Sequence, residues 1–337
     1  MKVWQISVFG IEQLALADRP QPRPGRGELL IKVHAVSLNY RDLLMVGGHY
    51  NPKLAVPRIP CSDGAGEVVE VGEGVKCVAV GQRVAGIFMQ NWLDGAPTAE
   101  TNRRALGGDI DGMLAEYVVL HEDGVVTIPE HLSYAEAATL PCAGVTAWNA
   151  LEEAARVKPG EIVLIQGTGG VSIFALQFAK MAGATVLGIS SSDEKLERAR
   201  VLGLDAGANY RQFPDWAKWV LNQTQDRGAD LIVEVGGAGT FAQSLQAVRI
   251  GGMVAQIGVL SRSDQPVQIP LILHRQVRVQ GIYVGSRAHF ETMNRAIAAQ
   301  RMRPVVDRVF AFSEAREALK LMENGSHFGK IVIQVVA

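Results

Sequence analysis

The sequence predicts an α/β chain in which a doubly wound parallel-sheet domain is joined to a strand-rich domain. Three observations carry this. Strand-like and helix-like segments alternate from Pro129 to about Gly285, the chain before Thr127 consists of short alternating or apolar runs between turn residues, and a glycine-rich turn at 167–170 separates an apolar strand from a helical pattern. With 337 residues, 48% of them hydrophobic, the chain has enough apolar material for two cores.

The strand-rich part contains ELLIKVHAVSL, GEVVEVGEGV, QRVAGIF and AEYVVL, punctuated by RPQPRPGRG, VGGHYNPK and EDG. Between them, Asn91 to Gly112 reads as a long surface loop of the kind that acts as a functional lid. From Pro129 onward, EIVLIQ, ATVLGIS, ADLIVEVGG and GGMVAQIGV alternate with helical patterns. Nearly continuous apolar strands such as IVLI and LIVEV suit a parallel sheet covered on both faces. Asp193 is the expected N-cap of LERARVL and Gly203 its stop. Two further helical patterns after Gly285, HFETMNRAIAAQ and SEAREALKLMENG, lead to KIVIQVVA, which is expected to return to the first domain. The domains are therefore drawn at 1–127 with 286–337, and at 128–285.

Charge excludes some functions. The 33 Lys+Arg against 34 Asp+Glu leave a formal charge of -1, with no bulk attraction for nucleic acid or an anionic membrane. The N-terminal stretch lacks a basic region followed by an apolar run, and no apolar stretch reaches ~18 residues, so a cytoplasmic protein is expected. Cys61, Cys77 and Cys142 form no CxxC and do not cluster with histidines at ligand spacing; reduced thiols are expected, with no structural zinc.

The most specific motif is EIVLIQGTGGVSIFALQFAK. Gly167, Thr168, Gly169, Gly170 and Val171 lie where backbone N–H groups and a helix N-terminus can face a pyrophosphate, and Ser172 stands in place of a third glycine. The next strand ends in Ser190, Ser191 and Ser192, without the carboxylate that receives an NAD ribose. Hydroxyls with Lys195 nearby suit a 2'-phosphate, so NADPH is favoured over NADH; the alternative for Lys195 is a solvated helix lysine. Gly236, Ile257 and Val259 sit at two further strand ends on the expected cofactor edge.

NYRDLL, DGAGEVVEVGEGV, GQRV, DGMLAEYVVL, LPCAGVTAWNAL, the GTGGVSIFALQFAK loop, GGAGT and FGKIVI together make the chain resemble the medium-chain dehydrogenase/reductase family, in its quinone oxidoreductase branch. The resemblance implies a GroES-like catalytic domain and a Rossmann domain. It implies that Lys195 and Tyr210 flank the 2'-phosphate with Ser191 beside them and Arg211 following, that Lys330 in FGKIVI adds a cofactor contact, and that the chain forms a homo-oligomer near VQGIYVG. Zinc-using relatives carry a Cys, a Gly-His-Glu and a later Cys. Here those positions hold Asn39, Ser62 and Asp63, with only Cys142 surviving in kind, which is too few ligands for catalytic zinc. The expected metal content is none.

Without zinc to stabilise an alkoxide, hydride addition to an already electrophilic quinone or α,β-unsaturated carbonyl is the favoured chemistry, with a small carbonyl or quinone as substrate. Tyr50 matches in spacing a tyrosine of enoyl-reducing relatives and would supply a proton or orient the carbonyl; it also reads as a half-buried loop tyrosine. Asn39 is either a hydrogen-bond donor to substrate or nicotinamide ribose, or a turn residue satisfied by its own backbone. Asp63 is expected to support its neighbours, with a proton-donor role as the alternative. Phe88, Trp92 and Trp148 either line an apolar pocket or pack in cores. Two other functions stay open: an alcohol dehydrogenase of small alcohols or aldehydes, and a catalytically vestigial NADPH-binding protein.

Overall fold

The computed structural model describes residues 1–261 and 266–336. It divides into two compact units, Met1–Val145 with Gly285–Ala337, and Thr146–Val284. In chain order the strands of the first segment are β1 (Lys2–Gln5), β2 (Ala15–Asp18), β3 (Glu28–Ser37), β4 (Asp63–Val71), β5 (Arg83–Gly86), β6 (Tyr117–His121) and β7 (Val125–Thr127). The second unit holds β8 (Ile162–Gln166), β9 (Thr185–Ser190), β10 (Ala206–Asn209), β11 (Ala229–Glu234), β12 (Val248–Gln256) and β13 (Arg278–Gly281). The returning segment adds β14 (Val306–Ala311) and β15 (Lys330–Gln334).

In the first unit a sheet runs β14-β15-β3-β4-β5-β7, with β6 also paired to β3. Strand β3 is central because ELLIKVHAVS is apolar on both faces: Leu29, Leu30, Ile31, Val33, Ala35 and Val36 are all buried. The helix Ala315–Glu323 covers the sheet with Ala315, Ala318, Leu319 and Met322, an i, i+3, i+4, i+7 stripe that puts one face in the core. Strand β15 then lies antiparallel to β3, pairing Val332 with Ser37.

In the second unit the order β10-β9-β8-β11-β12-β13 is parallel throughout. Every residue of β11 is buried, as a central parallel strand requires. The order reverses between β8 and β11, the point at which open α/β sheets take ligands.

Several local expectations change. Residues 128–145, drawn above into the second domain, pack in the first unit: Tyr134 stacks on His34 of β3 at 4.1 Å between ring centroids, and Cys142 bonds to Asp63 of β4. The N-cap of the helix Asp193–Val201 is Ser192, whose Oγ accepts the Lys195 N–H at 3.3 Å; Asp193 is its first residue and instead accepts from Gln212. Strand β10 and the helix Trp216–Gln223 had no marker, since AGAN is small and polar; the ladder to β9 makes β10 a strand. The stretch from Asn91 to Gly112 contains no helix or strand, yet Trp92, Ala105 and Leu106 within it are buried. Among the described residues no helix is long and apolar enough to cross a membrane.

Candidate functional site: two clusters, one in each unit

In the second unit, β8 runs into Gly167 and the helix Gly170–Met181 begins directly after it. Gly167 takes φ +68°, a backbone shape that favours glycine, and its N–H donates to Ile189 O at 2.6 Å, drawing the turn against the tip of β9. A Cβ built on Gly167 or Gly169 would meet nothing within 4 Å, so the missing side chains leave open space above the loop, as a close-lying pyrophosphate requires. No side chain caps the helix at Gly169. Ser172 does more than stay small: its Oγ donates to Gln166 O at 2.6 Å and ties helix to strand.

The remaining cofactor candidates of this unit gather at the same ends of the sheet. Ser191 follows the tip of β9, and Tyr210 and Arg211 follow the neighbouring tip of β10, with Tyr210 N donating to Ser190 O at 3.0 Å. Lys195 lies in the first turn of the helix after β9, and Tyr210, after the tip of β10, is 40% exposed. Gly236 follows β11, and Ile257 and Val259 follow β12, where Ile257 N and Gly258 N both donate to Glu234 O. Thr168 and Val171 flank the two loop glycines.

Sequence reasoning missed what shapes these tips. Glu234 is fully buried and accepts from Gln166 Nε2 at 2.7 Å, from Gly237 N at 2.8 Å, from Thr240 Oγ1 at 2.5 Å and from the Ser244 hydroxyl. Gln166 in turn accepts from the N–H groups of Val235 and Gly236 through Oε1. A buried carboxylate is tolerable only when paired this fully. The sole signal was a Glu inside an otherwise apolar strand, LIVEV.

In the first unit, a second cluster assembles the positions that zinc-using relatives fill with ligands. Asn39 ends the stretch after β3 and starts the helix Tyr40–Val46, held by its own N–H to Asp42 Oδ2 at 2.8 Å. Ser62 and Asp63 enter β4, and Cys142 follows Pro141 in a wide-turned helical segment, Leu140–Gly144. Ser62 Oγ donates to Asp63 Oδ1 at 2.7 Å, Cys142 N donates to Asp63 Oδ2 at 3.0 Å, and Asn39 Nδ2 reaches Ser62 Oγ at 3.5 Å. Lys330 was expected beside the cofactor; in this unit its Nζ turns inward, donating to Leu38 O at 2.5 Å and Asn39 Oδ1 at 2.6 Å, and the residue is 3% exposed.

Burial is the dominant electrostatic influence here. It raises the Asp63 carboxyl above its ordinary value, against the pull of the Lys330 ammonium, the Ser62 hydroxyl, the Asn39 amide and the Cys142 N–H. It pushes the Cys142 thiol well up, with the Asp63 carboxylate adding to the effect. Asp42, also fully buried, is pushed up to about 6.

Zinc does not fit this donor set. Asn39 Oδ1 already accepts from an ammonium and the Ser62 hydroxyl donates to Asp63, which leaves one thiol and one carboxyl where catalytic zinc needs three protein ligands. Among the described residues no three His, Cys, Asp or Glu side chains converge to hold a metal. Cys61, buried at 1% exposure, has φ +70°, a left-handed conformation that favours glycine.

Tyr50 lies just beyond the helix Tyr40–Val46 and is 43% exposed, with the Arg41 guanidinium 5.5 Å from its ring centroid. Arg41, absent from the expectations above, also lies 4.8 Å from the Phe88 ring and donates to Leu106 O at 2.8 Å. Phe88 and Trp92 are buried in the first unit, whereas Trp148 is buried in the second against Phe178, so the three line no common wall within either unit.

Comparison with known proteins follows this division. Residues 25–130 match the alcohol dehydrogenase GroES-like domain, and residues 170–299 match a domain described as zinc-binding dehydrogenase. A zinc-type alcohol dehydrogenase-like protein of Schizosaccharomyces pombe is 43% identical over 335 residues, covering 97% of each chain. A structure from Sinorhizobium meliloti described as a candidate alcohol dehydrogenase superposes with TM-score 0.93 at 42% identity, covering 99% of this chain and 98% of that one. The quinone oxidoreductase of Coxiella burnetii superposes at 0.81 with 29% identity, covering 100% and 99%. On the glycine loop, the two-unit architecture and full-length identity of this order, the chain belongs to the medium-chain dehydrogenase/reductase family, as an oxidoreductase built to bind a nicotinamide cofactor.

Proposed function

We propose that this chain transfers hydride from NADPH to quinones or to the C=C bond of α,β-unsaturated carbonyls, without zinc. The observation that carries the reading is the cluster of Asn39, Ser62, Asp63, Cys142 and Lys330, in which hydrogen bonds and an ammonium stand where relatives hold a metal. Alcohol oxidation needs a stabilised alkoxide. A quinone or enone accepts hydride directly and needs only donors near the oxygen on which charge develops.

When bound, the reduced nicotinamide supplies the hydride. The backbone of Gly167, Thr168, Gly169, Gly170 and Val171 holds the pyrophosphate, and Gly236, Ile257 and Val259 border the rest of the dinucleotide. Ser191, Lys195, Tyr210 and Arg211 receive the 2'-phosphate; the support for this is that both adjacent strand tips offer hydroxyls and cations and no acid receives the ribose. Asn39 donates to the substrate oxygen. Tyr50 orients the substrate or delivers the proton, with the Arg41 guanidinium 5.5 Å from its ring centroid. Asp63 is fully buried with both oxygens engaged, so its role is to hold Ser62 and the Cys142 segment in place.

The test is purified protein with NADPH or NADH against a panel of enones and quinones, followed at the nicotinamide absorbance band. Oxidation of NADPH in preference to NADH, unaffected by chelator, is expected; tight NADPH binding with no turnover of any substrate would sink the reading. The relatives' names favour one competitor, an alcohol dehydrogenase. About one zinc per chain by metal analysis, with alcohol turnover abolished by chelator, would establish it instead.

The chain is also proposed to form a homo-oligomer through the second unit. Strand β13 ends its sheet with all four residues exposed, and the apolar helix Ile269–His274 buries none of its residues, leaving Leu273 72% exposed.

A further inference from the structure

The buried ammonium of Lys330 has a chemical consequence for its neighbour. Lys330 opens β15, and its own N–H is bonded to Val305 O at 3.0 Å; Leu38 N is bonded to Ile331 O at 3.0 Å. The two strands thus fix Nζ against the end of β3 from both sides. A lysine ammonium has only donors, so the Asn39 carbonyl oxygen must face it, and the 2.6 Å contact is of that kind. This settles the orientation of the Asn39 amide by chemistry alone. Nδ2 is turned the other way, toward Ser62 Oγ at 3.5 Å, the limit of a hydrogen bond, and toward the Asp63 carboxyl, so its two N–H groups make no short hydrogen bond. The Ser62 hydrogen is already committed to Asp63. Asn39 itself remains 8% exposed and Cys142 is only partly buried, so the cluster is not wholly closed.

We propose that Lys330 is a positioning residue whose ammonium, bonded to Asn39 Oδ1, polarises that amide so that Nδ2 becomes the donor to the substrate oxygen. Charge on the amide oxygen side withdraws electron density from the nitrogen and strengthens its N–H groups as donors, as in polarised hydrogen-bond chains. The pair does by polarisation part of what a Lewis acid does in relatives that hold a metal. The inference rests on the reductive reading above. In that reaction the substrate β-carbon gains the hydride, the π pair moves onto the carbonyl oxygen, and the α-carbon then takes a proton; Lys330 and Asn39 neither gain nor lose one.

The experiment compares wild type with Lys330→Met, which keeps the length and removes the charge, on a simple enone and on a benzoquinone. NADPH affinity is read separately from the fluorescence of the bound nicotinamide. A simple enone needs its oxygen stabilised far more than a quinone does, so the loss should depend on substrate. The expected result is a fall of about 100-fold or more in kcat/KM on the enone, the size seen when an oxyanion donor is lost, and less than about tenfold on the quinone. NADPH affinity should stay within about threefold. Equal losses on both substrates would mark Lys330 as merely structural, and a loss confined to NADPH affinity would return it to the cofactor; either overturns the proposal. If Lys330→Met does not fold, Asn39→Asp retains the partner of Lys330 and removes the amide donor. It should show the same enone-selective loss, and a wild-type enone rate in it would refute the idea. Wild type failing on both substrates defeats the reductive reading itself, and this proposal with it.

Discussion

Asp42 shows how one residue in the first unit is held at a cost. Its Oδ2 accepts the Asn39 N–H at 2.8 Å, while its Oδ1 has no hydrogen-bond partner and the Arg41 guanidinium approaches only to 4.0 Å. Burial therefore dominates and pushes the carboxyl up to about 6, from the ~3.9 of an exposed aspartate. Between about pH 4 and 6 the folded chain keeps a proton that the unfolded chain has released. Stability consequently falls as pH rises through that window, and the penalty is fully present at pH 7. Asp42→Asn keeps an acceptor for Asn39 and removes the charge. It is expected to stabilise the fold by about 1–3 kcal/mol at pH 7 and by clearly less at pH 4. Thermal unfolding at the two pH values checks this, and a lower Tm for the variant at pH 7 would contradict it.

At the scale of elements, two glycines near the sheet tips separate ligand space from packing space. Gly169 has φ −77° and ψ −178°, open to any residue, and a Cβ there meets nothing within 4 Å. Gly169→Ala should therefore leave stability within about 1 kcal/mol of wild type, yet on the proposed reading its methyl group would enter the space assigned to the pyrophosphate and weaken NADPH binding about tenfold or more. Gly258 differs: a Cβ there falls 1.8 Å from Val235 O, which is backbone and cannot yield. Gly258→Ala should lower stability by several kcal/mol, at least about 2–3, through forced separation of the β11 and β12 ends. Denaturant unfolding paired with NADPH titration distinguishes the two, and a Gly169→Ala variant that binds normally would remove the loop from the cofactor site.

For the whole molecule, the decisive question is how many chains act together. An unpaired edge strand beside an exposed apolar helix is a surface that proteins either blunt with charge or cover. Val279 is 40% exposed in the middle of β13. Val279→Lys places a charge on that edge and is expected to shift the particle toward the mass of one chain, 36.3 kDa, in light scattering. An unchanged multimer would assign the contact to another surface.

The sequence by itself determined the fold class, the parallel sheet, the glycine turn with its helix, and the presence of Asn39 and Ser62 where zinc-using relatives carry a Cys and a His. These are local facts, carried by periodicity and residue identity over a few turns or strands. It could not determine the capping residue at 192, the membership of residues 128–145, or strand β10, because each depends on a partner that only folding supplies. Glu234 and Arg41 were invisible for the same reason: a charged side chain declares its role only when the groups around it are known. Lys330 is the clearest case. It lies 291 residues from Asn39, and only the pairing of β15 with β3 brings an ammonium to that amide and buries it there. Burial then fixes which atom of Asn39 accepts and which can donate, since a buried cation must be satisfied where it stands.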